Sequence, residues 1–135
     1  MSALKIYQAF VNQFSTGSLL TGLGVAYENS SFTPTAGTAY AELRFFPNET
    51  GSLSLKNKNE TTGVFSVILR YPIDSGAIVL KSKAQAIVDA FKPGSFVSYT
   101  GQRVDIVNSS VGSGVSEDGW FKQIVDIRFR AFSAR

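Results

Sequence analysis

The sequence predicts an α+β fold: one mostly antiparallel β-sheet with two helices packed on one face and a long β-hairpin arm. Three observations carry this. From Val125 to Ala131 the chain alternates strictly, with Val125, Ile127, Phe129 and Ala131 facing one way and Asp126, Arg128 and Arg130 the other, the mark of a strand with one dry and one charged face. Two stretches, Ser2 to Phe14 and Ser75 to Phe91, instead repeat apolar residues at three- and four-residue spacings, as amphipathic helices do. The strand-like segments follow one another rather than alternating with helices, so the sheet is not the parallel kind built from crossover helices.

The first helix carries Ala3, Ile6, Tyr7, Phe10 and Phe14 on one stripe, with Lys5, Gln8, Asn12 and Gln13 opposite, Ser2 as cap and Gly17 as stop. A helix this short is marginal alone in water, so the stripe must dock on something. Gly17 to Gly24 is a connector with Leu19, Leu20 and Leu23; lacking a Gly-Lys-Ser/Thr run and a preceding strand, it is not a phosphate loop. A short strand at Val25-Ala26-Tyr27 precedes a polar loop, Glu28 to Gly37, that contains Phe32 and Pro34.

Ala39 to Pro47 is the second convincing strand, with Ala41, Leu43 and Phe45 alternating with Glu42, Arg44 and Phe46. Gly63 to Tyr71 is the third, with Phe65, Val67, Leu69 and Tyr71 on one face and Ser66 and Arg70 on the other, and the two are expected to pair as a long hairpin. Between them, Asn48 to Thr61 is polar, with Ser52-Leu53-Ser54-Leu55 alternating and Lys56-Asn57-Lys58-Asn59 at the tip; it reads either as an extended β-arm or as a disordered tip.

In the second helix Ala77, Leu80, Ala84, Ile87, Val88 and Phe91 form the stripe, Asp74 or Ser75 caps the start, and Pro93-Gly94 closes the end. Strands at Ser95–Tyr99 and Arg103–Asn108 follow, joined by a Thr100-Gly101-Gln102 turn. A Gly/Ser-rich loop from Ser109 to Glu117 leads to the Asp118-Gly119 turn that launches the closing strand. That strand is read as the central or closing one of the sheet.

The chain has 135 residues, 44% apolar and 17% charged, the size and balance of a single globular domain spanning 1–135. Cysteine and histidine are absent, which removes disulfides, thiolate metal sites and any Ser-His-Asp triad. No acidic metal loop is present, Glu117-Asp118 lies in a turn, and Asp105 and Asp126 read as partners for arginines, so neither an enzyme nor a cofactor is expected. No signal peptide or membrane span is evident, and a soluble chain made in the cytosol is expected, with the Asn-x-Ser/Thr triplets at Asn29, Asn48, Asn59 and Asn108 serving turns. The net charge of +3 permits a polyanion partner without arguing for one.

Arg44, Arg70, Arg128 and Arg130 fall on the polar sides of their strands. They form either a solvated, salt-bridged outer face or a subunit interface, for which the planar guanidinium is well suited. Of the adjacent Trp120 and Phe121 only one can face the core; the other, with Phe32 and Phe46, is a candidate exposed aromatic of the kind enriched at interfaces. Phe129 lies on the dry face, away from any single-stranded nucleic acid beside Arg128 and Arg130.

Several segments together resemble the tail terminator, or tail completion, proteins of long-tailed bacteriophages. They are an N-terminal helix, Ala26-Tyr27-Glu28-Asn29-Ser30-Ser31-Phe32-Thr33-Pro34, Tyr40-Ala41-Glu42-Leu43-Arg44 running to Pro47, and Gly63-Val64-Phe65-Ser66-Val67 with Tyr71-Pro72 beyond. A helix ending at Phe91-Lys92-Pro93-Gly94 and the closing Asp118-Gly119-Trp120-Phe121 complete the pattern, which covers almost the whole chain. The resemblance implies a virion structural protein that forms a ring, commonly of six subunits, capping the tail tube and ending its polymerisation. It implies three contacts: the tail tube protein, a head-tail connector or neck protein, and DNA that merely passes through the lumen. Candidate interface residues are then Arg44, Arg70, Arg128, Arg130, Phe32, Trp120, Lys56 and Lys58. A neck adaptor or nucleic-acid-binding module is the alternative.

Overall fold

The computed structural model describes residues 2–16, 24–26, 39–47, 51–53, 58–72, 77–112, 114–117 and 119–134. Their order is α1 (Ser2–Thr16), β1 (Gly24–Ala26), β2 (Tyr40–Pro47), β3 (Gly51–Leu53), β4 (Lys58–Pro72), α2 (Ala77–Ala90), β5 (Phe96–Tyr99), β6 (Gln102–Val111), β7 (Val115–Glu117) and β8 (Trp120–Ala134). The strands form one sheet in the order β1-β2-β4-β8-β6-β5, with β3 added to β4 and β7 to β8.

The closing strand is central. β8 pairs antiparallel with β4 along the full length of both, from Lys58↔Ala134 to Pro72↔Trp120. At about 3.3 Å per residue these 15-residue strands make a spine roughly 50 Å long. The hairpin partner is also as expected, with β2 antiparallel to β4 from Tyr40↔Arg70 to Pro47↔Gly63. β1 joins β2 in parallel and covers Gly24–Ala26; Tyr27, the last residue of the expected short strand, lies outside the described residues.

Both helices cover the dry face, α1 over β4, β5 and β6 and α2 over β4, β6 and β8. Ile6, Ala9, Phe10 and Phe14 of α1 and Leu80, Ala84, Ile87 of α2, with Phe91 just beyond it, are buried against Leu43, Phe65, Val67, Ile127 and Phe129 of the sheet. Aromatic rings organise this layer. Phe10 stacks on Phe65 at 4.5 Å between centroids, and Phe45 stacks on Phe129 at 5.7 Å. Offset stacks of this kind add about 0.5–1.5 kcal/mol to the area they bury.

At Gly63 the spine meets its neighbour closely. A Cβ there would meet the Phe46 carbonyl oxygen at 2.6 Å and the Phe129 ring at 2.9 Å, so the position has no room for a side chain.

One sequence reading needs correction. The expected Gly/Ser loop from Ser109 to Glu117 is mostly strand: β6 continues to Val111 and β7 covers Val115–Glu117. A bulge between Ile106 and Asn108 shifts the register, so that Ser109 turns inward. There its hydroxyl donates to the carbonyls of Val88 (3.3 Å) and Phe91 (2.8 Å), closing the C-terminal end of α2. Serines are poor strand formers alone, but pairing with β8 and this capping role outweigh propensity.

Of the two readings of Asn48 to Thr61, the described residues agree with the extended arm: Gly51↔Glu60 through Leu53↔Lys58 is strand, and the β4 side is also backed by the end of β8. The arm is an extension of the sheet there; residues 48–50 and 54–57 lie outside the described residues. The expected connectors at 17–23 and 28–37 and the cap at Asp74 or Ser75 also lie outside them.

Candidate assembly face

Strand alternation leaves one sheet face uncovered by helices. Its side chains come from Tyr40, Glu42, Arg44 and Phe46 of β2, from the even-numbered residues between Glu60 and Pro72 of β4 and between Trp120 and Phe132 of β8, and from Arg103, Asp105, Asn108 and Ser110 of β6. The four predicted arginines all lie here.

Glu42 holds two of them. Arg44 Nε donates to Glu42 Oε2 at 2.6 Å, and Arg70 Nη2 lies 3.4 Å from Glu42 Oε1. Glu42 and Arg70 are mostly covered, whereas half of Arg44 faces solvent. Across the sheet, Arg130 Nε lies 3.3 Å from Glu60 Oε2. Arg128 stands exposed between Val64 and Asn108 and has no ion pair among the described residues.

Of the two acids read as partners for arginines, Asp105 is one, pairing with Arg103 at 2.8 Å, whereas Asp126 accepts a 2.6 Å hydrogen bond from Ser66, its partner directly across on β4. Arg103 also lies over the Phe96 ring at 4.0 Å, a cation–π contact that leaves Phe96 half exposed.

The face is less polar than the sequence indicated. Ile68 and Ile124 are directly paired at its centre and half-buried, Val64 adjoins Arg128, and Phe46 is 56% exposed. An apolar centre ringed by charge of both signs is the composition of a protein–protein contact, where the polar rim sets register and the centre loses water. These positions break the expected alternation because β4 carries Val64 and Ile68 on its outer face, either side of Ser66.

Trp120 falls on this face at the end of β8, edge-on to Tyr40 at 5.2 Å and partly covered, while Phe121 packs against the core. Lys58 opens β4 at the register of Leu53 and Ala134. Phe32 and Lys56 lie outside the described residues. Thus Arg44 and Arg70 meet through Glu42, Arg128 and Arg130 share β8 two strands away, and Trp120 marks one end.

Reasoning from the sequence also missed the solvent side of α2, where Ile78 and Val79 are 82% and 58% exposed. Their signal was the unbroken apolar run Ala77 to Leu80, too wide for one helical stripe. No described helix is long and apolar enough to cross a membrane.

The comparisons with known proteins follow the fold. A sequence family described as phage tail terminator protein matches residues 5–129. One solved structure superposes with a TM-score of 0.77 at 23% identity, covering 97% of this chain and 96% of that one. A chain from the virion of a native gene transfer agent (GTA) particle superposes with a TM-score of 0.61 at 20% identity, with the same coverage. At these identities the likeness is one of fold. No curated protein matches.

Proposed function

The chain belongs to the phage tail terminator family, a family of virion tail structural proteins, and from that premise we propose that it closes into a ring at the head-proximal end of the tail tube. The ring, a hexamer, caps the tube, ends its polymerisation and presents a surface to the head's connector or neck proteins, with DNA passing through the lumen. The observation that carries this reading is the family match across residues 5–129.

The outer face supports it. A ring needs head-to-tail contacts in which two different surfaces of one chain meet. Arginines in excess of their acids around an apolar centre suit such a contact, and Arg44, Arg70, Arg128 and Arg130 are the residues proposed to make it, with Trp120 at its margin. The proposed interface extends to Phe32, Lys56 and Lys58, the two lysines belonging to the arm. Light scattering on the purified protein, alone and with its tube protein, tests the ring; electron microscopy of the same sample counts its subunits. A strict monomer under both conditions contradicts it.

A further inference from the structure

Among the described residues the sheet is open, and its two end strands carry only one of the usual devices against strand addition, their shortness. β5 reads Phe96-Val97-Ser98-Tyr99 and β1 reads Gly24-Val25-Ala26, both without charge, proline or bulge. Exposed edges are ordinarily blunted by such features, because unpaired N–H and C=O groups template another strand.

The unpaired groups of β5 can be assigned. Tyr99 and Gln102 flank a two-residue turn, and Ile106 donates to the Ser95 carbonyl at 2.9 Å. Antiparallel ladders alternate, so Ser95, Val97 and Tyr99 face β6, and Phe96 and Ser98 direct their backbone groups outward. Among the described residues no strand meets them. Alongside runs a groove of about 220 Å³ between β5 and α1, lined by Tyr7, Gln8, Val11, Asn12 and Tyr99. An edge strand beside a helix is the arrangement by which proteins accept an extended segment.

Charge says which segment. From Ile6 through Tyr27 and from Pro93 through Gln102 the chain has no charged residue, although 17% of it is charged. These tracts supply the groove, β5 and β1. A neutral groove accepts a neutral strand without desolvating an unpaired charge, and β1 lies within the longer neutral tract at the opposite edge of the same sheet.

We propose that the outward edge of β5, with the groove against α1, receives β1 of a second copy and so joins neighbouring subunits. This inference rests on the ring reading above. It also fixes direction. Following the pairings through the sheet, β1 and β5 run the same way. Neighbours in a ring are related by a part-turn rather than a reversal, so the joint is parallel, whereas a two-fold dimer would pair β5 with β5 antiparallel. A four-residue strand is a small joint against the roughly 1,200 Å² of a stable interface; closure, which holds every copy at both edges, makes it persist.

Ser98→Pro tests the joint, since it removes an outward N–H while leaving the bonds to β6 in place. Light scattering of the full chain with its tube protein is expected to show ring mass for wild type and for Ser98→Ala, and loss of the ring for Ser98→Pro with an unchanged melting temperature. A Ser98→Pro ring equal to wild type overturns this inference and leaves the ring reading standing. A Ser98→Pro ring that no longer binds tube protein overturns it too, by assigning the edge to that partner. A wild type that never assembles overturns both. Should Ser98→Pro not fold, the cysteine-free background allows Ala26→Cys with Ser98→Cys and a short thiol cross-linker. A ladder of covalent multimers from the double variant supports the joint; a dimer from Ser98→Cys alone, or no cross-linking in assembled rings, refutes it.

Discussion

Gly63 and Tyr71 are both on β4, and each makes a claim that a single substitution checks. At Gly63 the colliding atoms include the backbone of Phe46 and Pro47, which cannot swing aside as a side chain can. Gly63→Ala is expected to lose about 1–3 kcal/mol, the usual cost of overpacking, read as a lower midpoint in urea with unchanged slope; an unaltered midpoint would mean the strands separate freely. Tyr71 is 7% exposed, and burial raises its hydroxyl above the ordinary value of 10.0. The folded state therefore holds this proton more tightly than the unfolded one. The resulting stability is complete below the unfolded value and declines as pH rises through the folded one. Tyr71→Phe should flatten that alkaline decline in melting temperature relative to wild type. Identical slopes above pH 10 would remove burial of Tyr71 as its cause.

At the scale of the element, β8 carries the account: Val125, Ile127 and Phe129 hold the core while Arg128 and Arg130 face outward. Arg128→Glu with Arg130→Glu should leave the fold intact. Among the described residues Arg128 has no ion pair to lose, and the exposed Arg130–Glu60 pair contributes only about 0–1 kcal/mol. The expected outcome is an unchanged far-ultraviolet circular dichroism spectrum with loss of assembly. A collapsed spectrum would make these arginines structural, and normal assembly would take them out of the interface. The strand itself was legible because its alternation is strict and its two faces differ in chemistry. The β6–β7 segment was not, because Ser109 and Ser110 are loop-prone locally and become strand through pairing with a neighbour distant in sequence. The turn at Gly119, with φ of 84°, was read correctly from Asp-Gly alone, since that dipeptide suits the two-residue hairpin it makes.

For the whole molecule, helical stripes and consecutive strands were enough to give the α+β architecture and the packing of both helices on one face. Which residues meet across the other face was not legible. Arg44 and Arg70 converge on Glu42, and Ile68 meets Ile124, only because register sets them side by side. The apolar centre was hidden for the same reason. The open edges at β1 and β5 are likewise properties of topology, visible once strand order is known. Together, a charged face with an apolar centre and two neutral edges describe a subunit built to meet its own copies. The most direct test is the mass of the purified protein in solution, by light scattering, alone and mixed with its tube protein. A closed ring at six times the 14.6 kDa chain is the expected result; a particle of 14.6 kDa under both conditions contradicts assembly into a ring.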